Sequence, residues 1–143
     1  MKLILRSGRP EDLQNIENWD WLDENIYEWK LKNDEIFLVE IDCEIVGYLR
    51  LEYLWSKYPY IGLIKVHEDY RRQGIGRSLL AFLEDHLRLN EHDTIFSSSQ
   101  VNEAEPQQWH RRMGFVECGV INGINEGNIG EIFFKKYIKN IKD

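Results

Sequence analysis

Apolar and polar positions change period along the chain, and each change predicts an element. Residues 2–6 alternate as a short strand does, and Ser7-Gly8-Arg9-Pro10-Glu11-Asp12 turns into a helix that runs through Ile16. Between residues 19 and 33, Leu22, Ile26 and Trp29 recur at helical spacing beside Trp19, Trp21 and Tyr27, so a second helix with an aromatic face is expected. Three strand-like runs follow, residues 36–41, 45–55 and 60–66, joined by Asp42-Cys43-Glu44 and by Ser56-Lys57-Tyr58-Pro59. They predict an antiparallel meander, in which Gly47 allows a bulge or a close approach.

From Ile75 to Leu89 a helix carries Leu79, Leu80, Leu83 and Leu87 inward and Glu84, Asp85 and Arg88 outward. Thr94-Ile95-Phe96 then leads a strand into Ser97-Ser98-Ser99-Gln100. Strand, crossover helix and strand make a βαβ unit, so this strand should run parallel to residues 60–66 in a mixed sheet. Pro106 opens a helix through Arg112 that Gly114 stops, and residues 115–121 and 129–137 read as closing strands.

One turn in this pattern combines charge with glycine: Tyr70-Arg71-Arg72-Gln73-Gly74-Ile75-Gly76-Arg77-Ser78. A helix entered this way points unpaired backbone N–H groups and the positive end of its dipole at one spot. Gly74 and Gly76 let a ligand approach the backbone, and Arg71, Arg72 and Arg77 add charge suited to phosphate, so an anion site is expected, with pyrophosphate its favoured occupant. Spacing disfavours two familiar phosphate loops. Leu79 stands where the dinucleotide fingerprint needs a third glycine, and Arg77-Ser78 stands where the triphosphate loop needs lysine before Ser or Thr.

What remains is Arg-x-x-Gly-x-Gly preceded by Val66-His67-Glu68-Asp69-Tyr70, which resembles the coenzyme A signature of the GNAT superfamily of N-acetyltransferases. The order of predicted elements resembles the GNAT fold over nearly the whole chain. A second stretch, Gln107-Gln108-Trp109-His110-Arg111-Arg112-Met113-Gly114-Phe115, is similar to the family's closing element, where an aromatic residue stands four before a Gly-Phe pair.

The resemblance implies an α/β (α+β) fold: a mixed, mostly antiparallel sheet of about six or seven strands, about four flanking helices, and a parallel, splayed strand pair at the cofactor site. It implies a single domain over residues 1–143, acetyl-CoA as cosubstrate and no metal. Arg71, Arg72, Gln73, Gly74, Ile75, Gly76, Arg77 and Ser78 would wrap the pyrophosphate, and backbone amides of Ile64, Lys65 and Val66 would face the oxyanion. Where many family members carry an asparagine for the pantetheine arm, the matching column falls on Glu103; its neighbour Asn102, or Gln100, would take that role.

The chemistry implied by that family needs three parts. A free alkylamine has a pKa of about 10, so something must take its proton before or during attack. An oxyanion needs preorganised donors, and a departing thiolate gains from an acid. His110 occupies the place where the family usually has tyrosine; it would serve as that acid, contact coenzyme A, or pack beside Trp109. Base candidates are Glu52, favoured for the apolar side chains around it, then Tyr53, Tyr60, Glu24 and Glu28.

Composition narrows the picture further. A chain of 143 residues with 43% hydrophobic and 13% aromatic residues suffices for one core. A net charge of −7 argues against nucleic acid and suits a cationic substrate, and no apolar run is long enough for a membrane span or a signal peptide. Two distant cysteines, Cys43 and Cys118, suggest buried thiols in a reducing, cytoplasmic compartment. The expected function is transfer of an acetyl group directly to a primary amine of a small molecule, peptide or protein. The alternative is a non-catalytic acyl-CoA-binding sensor or assembly module of the same fold. The resemblance further suggests a homodimer, for which the exposed edge of the final strands gives a route.

Overall fold

The computed structural model describes residues 2–139. In chain order the elements are β1 (Ile4–Ser7), α1 (Leu13–Ile16), α2 (Glu24–Lys32), β2 (Ile36–Ile41), β3 (Glu44–Leu54), β4 (Tyr58–Val66), α3 (Ile75–Leu89), β5 (Thr94–Gln100), α4 (Ala104–Arg112), β6 (Val116–Asn125) and β7 (Ile129–Tyr137). The strands form one seven-stranded sheet in the order β1-β2-β3-β4-β5-β7-β6. β4 pairs with β5 in parallel, at Tyr60↔Phe96, while β1 with β2, β2 with β3, β5 with β7 and β6 with β7 are antiparallel. The mixed sheet expected from the sequence is present.

Two compact units make up the chain: the part up to Glu52 with Gly62–Asp85, and Tyr53–Ile61 with the part from His86 onward. In the first unit, Ile16, Tyr27, Leu31, Ile36, Leu38 and Tyr48 form a buried cluster with Leu13, Trp19, Leu22, Ile45 and Leu63 against it. Each such side chain removed from water contributes roughly 1.5–3 kcal/mol. Asp42 and Cys43 both adopt left-handed φ, 51° and 68°, which closes β2 onto β3 in a two-residue turn. The pairing passes from Val39↔Gly47 to Glu40↔Ile45, so Val46 is the extra residue of the bulge that Gly47 was expected to allow.

Several local expectations are corrected. α2 starts at Glu24 rather than at residue 19 because Asp20 turns its carboxylate to β3, where it accepts from Tyr48 and Arg50, and to the N–H of Trp21. Glu84 is buried, not outward; it stands four residues after Leu80 and three before Leu87, both buried, so helical geometry puts it on their face. Cys43 and Cys118 are exposed, since one lies in the hairpin turn and the other in the edge strand β6.

In the second unit β5 alternates strictly, with Ile95, Ser97 and Ser99 buried. α4 begins at Ala104, so Pro106 lies within its first turn instead of opening it. β6 runs on to Asn125, four residues past the expected end, before a short turn in which Gly127 and Asn128 take φ of 77° and 62°. As the last strand in the sheet order, β6 leaves Val116, Val120, Ile121 and Ile124 exposed.

Candidate active site

The glycine turn lies in the first unit. After β4, the N–H of His67 bonds the carbonyl of Val46, and a single 3-10 turn over Glu68–Tyr70 brings the chain to Arg71. Arg72 and Gly74 then take left-handed φ of 64° and 79°. The carbonyl of Gly74 accepts from the N–H of Ser78, which makes Gly74 the residue that starts α3. The N–H groups of Ile75, Gly76 and Arg77 therefore fall in the first helical turn, where no intrahelical acceptor exists. Ile75 is buried and anchors the turn; Arg71, Arg72, Gln73 and Arg77 are exposed around it. Arg71 Nε donates to the carbonyl of Val66 at 3.2 Å, tying the turn back to the end of β4. At Gly74 a β-carbon would meet nothing within 4 Å, so the backbone there is open to a ligand.

Ile64 and Val66 are half-buried and Lys65 is exposed, all at the end of β4. Asn102 lies in an exposed turn after β5, Glu103 is the extended residue just before α4, and the carbonyl of Gln100 accepts from Gln107 Nε2 at 3.0 Å.

Glu52 sits in the middle of a chain of charges in the first unit. Asp20 Oδ2 accepts from Tyr48 Oη at 2.8 Å and Arg50 Nε at 2.7 Å; Arg50 Nη1 bonds Glu52 Oε2; Glu52 Oε1 pairs with Lys30 Nζ at 2.8 Å; Lys30 Nζ also reaches Glu35 Oε1 at 2.9 Å and the carbonyl of Leu51 at 2.7 Å. Burial is the strongest single influence on Arg50 and opposes its charge, but the bonds and negative charges of Asp20 and Glu52 together outweigh it and raise its pKa. Burial, then the bond to Asp20, raises the pKa of Tyr48, which keeps it a phenol that donates. With both oxygens of Glu52 held by cations, the geometry favours an ion-pair role for it over that of a base.

His110 is the best-defined group of the second unit. It is 3% exposed, stacked on Phe134 and edge-on to Trp109 and Phe115. Nδ1 lies 2.8 Å from the carbonyl of Pro106, which can only accept, so Nδ1 carries the proton; Nε2, 2.7 Å from Ser97 Oγ, then accepts from that hydroxyl. Burial pulls its pKa below the ordinary histidine value. A neutral ring with both nitrogens engaged favours packing over acid catalysis in this state.

Two residues on either side of Ser98 differ in kind. Ser97 Oγ serves His110, whereas Ser99 Oγ is buried with no hydrogen-bond partner among the described residues. An orphaned hydroxyl of that sort costs about 1–3 kcal/mol unless something supplies a partner. The open backbone at Gly74 leaves room for an anionic ligand such as a pyrophosphate. Among the other base candidates, Glu24 and Glu28 are exposed on α2 and Tyr53 packs on His92, ring centroids 5.8 Å apart. Tyr60 Oη lies 2.6 Å from Ser98 Oγ. Ser98, Ser99, Glu131 and Asp20 were not singled out by sequence; the alternation along β5 separates the serines by face, and nothing local marks the acids. No helix among the described residues is long and apolar enough to cross a membrane.

The chain belongs to the GNAT acetyltransferase family, whose model matches residues 4–115. No curated protein sequence matches it. Among solved structures, it is similar to the ribosomal-protein-S18-alanine N-acetyltransferase of Escherichia coli, with 17% identity and a TM-score of 0.81 over 97% of this chain and 96% of that one. A GNAT-family acetyltransferase of Bacillus cereus shares 22% identity at a TM-score of 0.81, covering 98% and 100%. A Bacillus anthracis protein provisionally described as a streptothricin acetyltransferase, solved in complex with acetyl coenzyme A, shares 20% identity at a TM-score of 0.79, covering 96% and 99%.

Proposed function

We propose that the protein is an acetyl-CoA-dependent N-acetyltransferase that moves an acetyl group directly to a primary amine of a small molecule, peptide or protein. Family membership supports the reaction class, and the B. anthracis neighbour supports the cosubstrate. The observation that carries the reading is the turn at Gly74, where open backbone, first-turn N–H groups and three exposed arginines coincide. Its residues 71–78 would hold the pyrophosphate by backbone N–H groups and guanidinium charge. Ser99, with Gln100 and Asn102, would supply hydrogen bonds to the pantetheine amides, and the N–H groups of Ile64, Lys65 and Val66 would face the acyl oxygen. When bound, acetyl-CoA supplies an activated acyl group. Neither thiol is needed as a nucleophile: partial desolvation of its sulfur pushes the Cys118 pKa up, which weakens it as one.

The fold would act as a single domain in the cytoplasm, where two exposed, unpaired cysteines stay reduced. A homodimer would pair along β6.

Calorimetry with acetyl-CoA, together with thiol release against a panel of primary amines, tests the reading. Binding with turnover is expected, and Gly76→Glu should abolish binding while leaving the fold intact. No binding by the wild-type chain would sink it. The interior seat of His110 favours one alternative, an acyl-CoA-binding module without turnover. Binding with no thiol release on any amine would select that alternative.

A further inference from the structure

On the face of β5 opposite His110, four strands contribute to one hydrogen-bonded chain in the second unit. Tyr60 Oη of β4 is 2.6 Å from Ser98 Oγ of β5; Ser98 Oγ donates to Glu131 Oε2 of β7 at 2.6 Å; Asn125 Nδ2 of β6 donates to Glu131 Oε1 at 2.9 Å. Register puts them on one face. Tyr60 is level with Phe96, and Phe96, Ser98 and Gln100 oppose Lys135, Phe133 and Glu131 in turn. The Tyr60 ring stacks on Phe133, centroids 5.8 Å apart, which fixes where its oxygen points.

The direction of the chain follows from donor counting. Ser98 has one hydroxyl proton, and the carboxylate of Glu131 takes it, so Ser98 Oγ can only accept from Tyr60. Asn125 occupies the other carboxylate oxygen and holds Glu131 in place. Each link therefore passes a proton the same way, from phenol toward carboxylate. A phenol alone, with a pKa of about 10, is a poor proton acceptor at neutral pH. A phenol whose own proton can leave along such a chain is a good one.

We propose that Tyr60, Ser98 and Glu131 form a proton relay that deprotonates the acceptor amine, with Asn125 as a positioning residue. The proposal rests on the N-acetyltransferase reading. As the amine nitrogen forms its bond to the acetyl carbon it gives one proton to Tyr60 Oη. The phenolic proton of Tyr60 moves to Ser98 Oγ, and the hydroxyl proton of Ser98 moves to Glu131 Oε2. The carbon–sulfur bond breaks with its electron pair on sulfur, and the proton held by Glu131 returns to that thiolate through solvent. Amine and thioester thus become amide and thiol, with no net change in the protein.

The test uses an amine that the wild-type chain acetylates and compares Tyr60→Phe, Ser98→Ala, Ser98→Thr and Glu131→Gln. Turnover, acetyl-CoA affinity by calorimetry and the solvent deuterium isotope effect are read for each. Tyr60→Phe, Ser98→Ala and Glu131→Gln should lower kcat/KM for the amine by about 100-fold or more, with acetyl-CoA affinity kept within about twofold. Ser98→Thr, which retains the hydroxyl, should recover most of the loss, and the isotope effect should change in the three relay-broken variants. Near wild-type turnover in Ser98→Ala and Glu131→Gln would overturn the relay while the acetyltransferase reading stands. Absence of turnover by the wild-type chain on every amine would remove both. Tyr60→Phe deletes a single oxygen, so it keeps the test decisive where Glu131→Gln fails to fold.

Discussion

The imidazole of His110 lies flat on the ring of Phe134, with centroids 4.6 Å apart and planes 5° from parallel. That contact, with the bonds to Ser97 and Pro106, makes the residue part of the packing under α4. Its pKa in the folded chain is lowered by burial, whereas an unfolded histidine titrates near 6.5. The unfolded state therefore binds the proton first as pH falls. The stability His110 contributes is fully present above about pH 6.5 and is lost as pH drops from there through the lowered folded value. Urea midpoints measured at pH 8 and below pH 6 should show this loss, and His110→Phe should flatten it. At pH 8 the same variant should lose about 1–3 kcal/mol, because Ser97 Oγ is left without its partner. Identical pH slopes in the two proteins would remove His110 as the source.

Ser99 should show opposite signs in two measurements. Replacing its hydroxyl by the methyl of Ser99→Ala removes a buried group that has no partner among the described residues, so thermal stability without ligand should rise by about 1 kcal/mol. Acetyl-CoA affinity should fall several-fold if that hydroxyl bonds the pantetheine arm. A gain in stability with unchanged affinity would make Ser99 a packing residue only.

Asp20 holds its segment to β3 through the buried Arg50. Asp20→Ala would leave that guanidinium buried without its main partner, a change that costs about 3–5 kcal/mol. Gly62→Ala attacks the same guanidinium from β4, since a β-carbon there would collide with Arg50 Nη1. The effect should be smaller, because the end of a long side chain can swing aside at the cost of its bond to Glu52. Denaturant titration of the two single variants and the double variant should show non-additive losses.

At Gly74 the difficulty is conformational rather than steric. Its φ of 79° would cost an L-residue about 1–2 kcal/mol, although there is room for a methyl group. Gly74→Ala should thus lower the melting temperature modestly without changing the core, and should weaken acetyl-CoA binding more than Arg72→Ala does. The reverse ranking would assign the turn's affinity to side-chain charge instead of backbone approach.

How much of this was legible in the chain depended on whether the cause was local. The order of strands and helices, the glycine turn and the inward leucines of α3 follow from period and backbone demands within a few residues. The start of α2 does not, because Asp20 is drawn out of helical geometry by Tyr48 and Arg50, nearly thirty residues away. Glu52 is another such case: its neighbours in sequence are apolar, yet its carboxylate meets Lys30 and Arg50. The pairing of Ser98 with Glu131 spans 33 residues and exists only because β5 and β7 take one particular register. Registers of that kind are written in packing, so sequence reading found Tyr60 as one candidate among several and found neither of its partners.

The tight turn between β2 and β3 leaves Cys43 at a hairpin tip, while Cys118 sits in the edge strand. Each compact unit thus carries one accessible thiol, and the partial desolvation of Cys118 slows its thiolate chemistry. Brief maleimide treatment near neutral pH should therefore mark Cys43 first, and a second dye added later would report from the other unit. The natural chain comes equipped for two-colour fluorescence without an engineered attachment point.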